Sequence, residues 1–159
     1  DAADDHVYAH AGTRCLGDLV DDLAVGQRVE LKEHAGGLAG KGALTHDHPV
    51  HAGPIGIVGS TSANALAAEA DVILAIGTRL QDFTTGSWTA FSPEARFISV
   101  NAARFDAVKH RALSVVGDAR ETIAELDAAL GDWTAGTGRM ARARALFAEW
   151  NALLDEFRD

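Results

Sequence analysis

The pattern of apolar and polar positions divides the chain into segments. From Thr13, Leu16, Leu19, Val20 and Leu23 fall at helical spacing with Asp18, Asp21 and Asp22 opposite, and Gly26 is a plausible stop. Arg28-Val29-Glu30-Leu31-Lys32 alternates and predicts a short strand. Residues 34–60 read as loop, with seven glycines and two prolines, a length expected of a functional segment or one pinned to a neighbour. Ser60-Thr61-Ser62 opens a helix through Ala70, because hydroxyls there can cap free amides and the Ala/Leu run favours helix. Val72-Ile73-Leu74-Ala75-Ile76 is continuously apolar, as expected of a strand in the middle of a parallel sheet covered on both faces. Arg96–Val100 and Leu113–Val116 predict two further strands, the latter ended by Gly117. Asp118 caps a predicted helix to about Leu130, with Ile123, Leu126 and Leu130 inward. The alternation of strand and helix predicts an α/β fold with parallel pairing.

Gly131 to Gly138 has linker composition. Arg139 to Phe157 predicts a long helix in which Met140, Ala143, Leu146, Trp150, Leu153 and Phe157 form a stripe widened by Phe147 and Leu154. That stripe lies beyond the last strand, so a partner surface on another domain or chain is expected to cover it. The expected division is therefore a central α/β domain over 1–130, a linker over 131–138 and a connecting helix over 139–159.

Composition narrows the functional classes. The 159 residues suit about one domain, and the 47% apolar content includes 31 alanines, which bury little area each. A net charge of −9 argues against nucleic acid or an anionic membrane as partner. No apolar stretch approaches the roughly 20 residues needed to cross a bilayer, and a cytoplasmic location is expected. Cys15 is the single cysteine and cannot form an internal disulfide; inert burial is its expected state. A start at Asp1 without methionine leads to the expectation of a piece of a longer chain.

Four stretches could carry chemistry. At the end of the apolar strand, Gly77 would let a ligand approach the backbone, Arg79 could clamp a phosphate or carboxylate, and Thr84 and Thr85 add hydroxyls. A plain strand-terminal turn with Arg79 paired to Asp82 stands beside that reading. Gly53–Ser62 could meet an anion at a helix start, but it lacks the dinucleotide spacing, and capping by Ser60 or Thr61 is favoured. His46, His48 and His51 hint at metal, yet no regular element holds them, so a solvated loop is the better reading and no metal site is expected. Lys41-Gly42 could meet a phosphate, although a solvated lysine is the default. There is no G-x-S-x-G elbow, phosphate loop or C-x-x-C, and no catalytic residue is assigned.

Taken together, Lys41–Leu44, Asp47-His48-Pro49, Gly59–Ala67, Ala70–Arg79 and Gln81–Trp88 resemble the central domain of thiamine-diphosphate-dependent enzymes. Within that superfamily they look most like the trihydroxycyclohexane-1,2-dione hydrolases of myo-inositol catabolism, with acetolactate synthases more distant. The likeness continues through Phe97–Asn101, Phe105–His110 and Val116–Arg120. The resemblance implies a three-layer, Rossmann-like parallel sheet. It also implies a magnesium-dependent parent enzyme in which flanking domains bind thiamine diphosphate, and which hydrolyses a C–C bond of a cyclic dione. The parent would be a homo-oligomer, and the isolated chain would be inactive. Middle domains of this superfamily bind FAD or ADP in some members, which makes Gly77, Thr78, Arg79, Asp82, Thr84, Thr85, Lys41 and Gly42 the expected cofactor-binding residues. A stand-alone nucleotide-binding module, a non-binding structural remnant and an acetolactate synthase-type fragment are the alternatives. Asp4-Asp5-His6 stands where the family pattern has an apolar strand, so the first strand is expected to be missing. Likewise Glu33–Gly42 lacks the threonine and glutamine of the family's Glu-Thr-Gln-Ala-Gly-Lys-Gly.

Overall fold

A computed structural model describes residues 34–36, 47–48, 51–133 and 137–157. The helix expected from Thr13, the strand at 28–32, the missing first strand, Cys15, Lys41, Gly42 and His46 lie outside the described residues. The described part is α/β with parallel strand pairing. It divides into two compact units between which the chain passes more than once, one of the passages falling inside β3 (Val72–Ile76), after Ile73.

One unit holds β1 (His34–Gly36) and β2 (His51–Pro54), paired in parallel with a register shift after His34. These strands lie where the sequence predicts only loop. His-Ala-Gly and His-Ala-Gly-Pro carry no β-branched residues, so their strand character comes from tertiary context rather than propensity. Helix α1 (Thr61–Glu69) comes next. Its N-cap is Ser60, whose Oγ accepts from Ala63 N at 3.1 Å and donates to Ala52 O at 3.1 Å. Ser62 Oγ donates to the same carbonyl at 2.7 Å. Ser60→Ala removes this cap together with a buried hydroxyl network, and a loss of about 1–2 kcal/mol is expected in chemical denaturation. The short helix α2 (Asp82–Thr85) also belongs to this unit.

The last helix, α5 (Thr137–Glu156), begins two residues before its predicted start and packs on α1 and β2. Its stripe thus has a partner in its own chain over the first half, where Ala143 joins Ala52 and Leu66 in a core flanked by Leu146. The expectation of an outside partner for the whole stripe is corrected to that extent. Small residues make the close approach feasible: Ala52 and Ala143 present almost no side chain. Toward the C-terminus the stripe emerges, with Leu153 and Phe157 exposed. The contact is locked by Arg139, whose Nη1 and Nη2 donate to Glu69 O and Leu66 O, both at 3.2 Å. These are last-turn carbonyls of α1 that the helix itself leaves unsatisfied, so a cation there also meets the negative end of the dipole.

The other unit contains the end of β3, then β4 (Arg96–Asn101) and β5 (Leu113–Val116), with helix α3 (Arg104–Ala107) and helix α4 (Ala119–Leu130). The strand order is β3-β4-β5, and β4 pairs with β5 in parallel, Ile98 opposite Leu113 and Val100 opposite Val115. Among the described residues, then, β4 stands between β3 and β5. Ile98, Ser99, Val100 and Asn101 are all buried, whereas Ile76 ends β3 exposed. Asp118 caps α4 by accepting from Arg120 N and Glu121 N. The buried positions of α4 are Thr122 and Leu126, and Ile123 is exposed. The buried face is therefore narrower than the apolar stripe and offset from it by one residue.

Candidate functional site

In the sheet unit the rim begins at Gly77, where β3 ends. Gly77 N donates to Val100 O at 2.8 Å, and its φ of 63° lies in the left-handed region. A Cβ built there meets nothing within 4 Å, so the backbone is open to approach. Thr78 O accepts from Asn101 Nδ2 at 3.0 Å, and Asn101 Oδ1 accepts from Ala103 N at 2.9 Å. One buried amide thus ties the turn after β3 to the turn after β4. The Arg79 side chain is 71% exposed, and its Nε lies 3.6 Å from Asp106 Oδ2. Its acidic neighbour within this unit is Asp106 on α3. The reason is topological: β3 and β4 are adjacent, so the segments leaving their carboxyl ends run side by side.

Asp106 carries no sequence signal of its own. It is buried, its Oδ1 meets Lys109 Nζ at 2.6 Å, and Lys109 Nζ also donates to Arg79 O at 2.9 Å. The same ammonium lies 5.1 Å from the centroid of the exposed Phe105 ring. The only local hint is an Asp and a Lys three residues apart within Phe105–His110, a common spacing on helix surfaces.

The other unit holds the remaining expected residues. Asp82 opens α2 and is exposed, and Thr84 is half-buried. Thr85 is fully buried, and its Oγ1 accepts from Trp88 N at 3.3 Å. That hydroxyl closes the turn through Gly86, which sits at φ 57°. Behind it the Trp88 and Phe91 rings lie 5.6 Å apart.

In the same unit the loop from β2 to α1 is built on backbone that only glycine adopts readily. Gly53 has φ 96° and Gly56 φ 117°. Asn64 clasps Gly56 twice, accepting from its N at 3.0 Å and donating to its O at 2.9 Å. Ile57 N donates to Phe83 O at 2.9 Å. The loop carries Ile57 and Val58 exposed, as is Phe83. Capping by Ser60, favoured from the sequence, is what this helix start shows.

Asp47 and His48 are exposed, and His51 packs edge-on against Phe147 with ring centroids 5.2 Å apart. Among the described residues no three His, Cys, Asp or Glu side chains are grouped to hold a metal ion. Arg142 Nη2 meets Glu69 Oε1 at 3.0 Å, and this carboxylate raises the guanidinium above its ordinary pKa. The pair is solvent-exposed and adds little stability. No helix among the described residues is long and apolar enough to cross a membrane.

Comparison with known proteins adds the family. The family described as thiamine pyrophosphate enzyme, central domain, matches residues 35–126. A protein of Clostridium perfringens named 3D-(3,5/4)-trihydroxycyclohexane-1,2-dione hydrolase is 44% identical over 93 residues, which is 58% of this chain and 15% of the relative. Proteins of the same name from Listeria monocytogenes (42% identity, 74% of this chain, 18% of the relative) and Geobacillus thermodenitrificans (41%, 63% and 16%) are also similar. The matched stretch is less than a fifth of each of these relatives.

Proposed function

Because the chain belongs to the family of thiamine pyrophosphate enzyme central domains, we propose that it serves as the middle domain of a hydrolase that cleaves a C–C bond of trihydroxycyclohexane-1,2-dione. The observation that carries this reading is the similarity of 41–44% to proteins bearing that name. In the proposal the flanking domains hold thiamine diphosphate and magnesium, the parent is a cytoplasmic homo-oligomer, and the reaction belongs to myo-inositol catabolism. In the proposal the divalent ion and the diphosphate belong to those flanking domains and not to the residues of this chain. No chemical step is therefore assigned to them.

The role proposed for this chain is binding. At the sheet rim Gly77 leaves the backbone open and Arg79 presents an exposed guanidinium, which together suit a phosphate or carboxylate of a nucleotide such as ADP or FAD. Thr78 belongs to this rim through its anchored carbonyl. On the α2 segment the exposed Asp82 can accept a hydrogen bond from a hydroxyl of the ligand and Thr84 can donate one, whereas the buried Thr85 supports the turn from within. Lys41 and Gly42 remain proposed phosphate contacts.

Two measurements test the proposal. The purified 159-residue chain, supplied with thiamine diphosphate and magnesium, is expected to leave the cyclic dione intact. Turnover without added protein would overturn the division of labour. Calorimetric titration with ADP and FAD is expected to show saturable binding, weakened at least tenfold in Arg79→Ala, since a hydrogen bond to a charged group contributes about 1.5–3 kcal/mol. Silent titrations of the unaltered chain would remove the nucleotide and leave the structural remnant.

A further inference from the structure

The rim contains one buried acid that the binding role does not use. Asp106 lies beneath Arg79, its side chain 10% exposed against 71% for the arginine. Its two oxygens are divided: Oδ1 takes Lys109 Nζ at 2.6 Å, and Oδ2 faces Arg79 Nε at 3.6 Å. Lys109 is occupied in turn, donating to Arg79 O at 2.9 Å and lying over the Phe105 ring. Two of the three ammonium donors of Lys109 are thus spent inside the rim, on Asp106 and on the backbone of Arg79. The three groups carry one carboxylate and two cations, so an excess positive charge remains, and it resides on the exposed guanidinium.

We infer that Asp106 is a positioning residue. It attracts the Nε side of Arg79 as an ion pair across 3.6 Å and, through Lys109, anchors the backbone carbonyl, a bias that presets the Nη1 and Nη2 edge for two parallel hydrogen bonds to one anionic group. A free arginine side chain loses rotamer entropy on being fixed, and a partner that restricts it beforehand removes part of that cost from binding. This inference rests on the rim being an anion site, and it makes a prediction opposite in sign to simple electrostatics. A carboxylate near a bound anion repels it, so by charge alone Asp106→Asn should tighten binding. By positioning it should loosen binding.

The test uses the 159-residue chain with ADP and inorganic phosphate as probes, and the Nε–Hε nuclear magnetic resonance signal of Arg79 as a ligand-independent readout. In the unaltered chain that signal is expected to be ordered on the picosecond-to-nanosecond timescale, unlike that of the exposed Arg120. An Arg79 signal as mobile as that of Arg120 overturns the inference without any variant, even where Asp106→Asn fails to fold. Asp106→Asn is expected to bind ADP at least fivefold more weakly and to mobilise Nε–Hε, with Asp106→Glu recovering part of both. Equal or tighter ADP binding by folded Asp106→Asn, with the signal unchanged, overturns the inference and leaves the rim reading standing. If neither probe binds the unaltered chain while the signal is ordered and is lost in Asp106→Asn, the rim reading falls and the hold of Asp106 on Arg79 is supported.

Discussion

Gly56→Ala is expected to destabilise the β2–α1 unit by roughly 3–5 kcal/mol, the sum of a steric clash and a disallowed backbone angle. A Cβ at this position would stand 2.1 Å from Phe83 O and 3.0 Å from Thr84 Cα. Both obstacles are backbone, which cannot rotate away as a side chain would. The φ of 117° adds strain for any L-residue with a side chain. Relaxation would have to break the Ile57 N to Phe83 O bond and the double clasp of Asn64. Gly77→Ala is the control: its φ of 63° is left-handed but the space around it is open, so the expected loss is only about 1–2 kcal/mol. Urea denaturation of both variants checks the contrast. Equal midpoints would show that the loop does not depend on the close approach at Gly56.

Leu66→Ala is expected to cost about 3 kcal/mol and to release α5 before the rest of the unit unfolds. Leu66 is the one large side chain among the fully buried members of a core otherwise made of Ala52 and Ala143, with Leu146 packed at its edge. An alanine-rich interface holds little apolar area in reserve, so no neighbour can expand into the cavity. The hydrogen bonds from Arg139 to the end of α1, one exposed and one part-buried, would remain, but they do not replace the apolar packing lost with Leu66. Hydrogen exchange across 137–157 is the direct measurement: protection there should fall more than protection in β4 and β5. A uniform fall would mean that α5 is not held through Leu66.

Much of the fold was legible because it is written in local periodicity. The apolar runs of β3, β4 and β5, the serine before α1 and the aspartate before α4 each name their element without reference to the rest of the chain. The small strands β1 and β2 were not legible, because histidine, alanine and glycine carry no strand signal and their pairing depends on what lies beside them. Gly77 and Arg79 could be singled out as chemistry-bearing types at a strand end. Asp106 could not, because a buried carboxylate differs from a solvated one only by its surroundings, and one of its two partners, Arg79, lies far earlier in the chain. The buried face of α4 passed over Ile123 for Thr122 for a related reason: periodicity gives the width of a stripe, and the neighbouring strand decides its rotation.

By itself, the sequence determined the α/β class, the order of most elements and the likeness to thiamine-diphosphate enzyme central domains. These come from side-chain type and spacing, which act over one or two helical turns or a single strand. The tertiary structure decided that the first half of the last helix is covered by α1 and β2, that β4 stands between β3 and β5, and that Arg79 meets Asp106. Such pairings depend on which distant backbones approach within hydrogen-bonding distance, and that is set by the packing of whole elements.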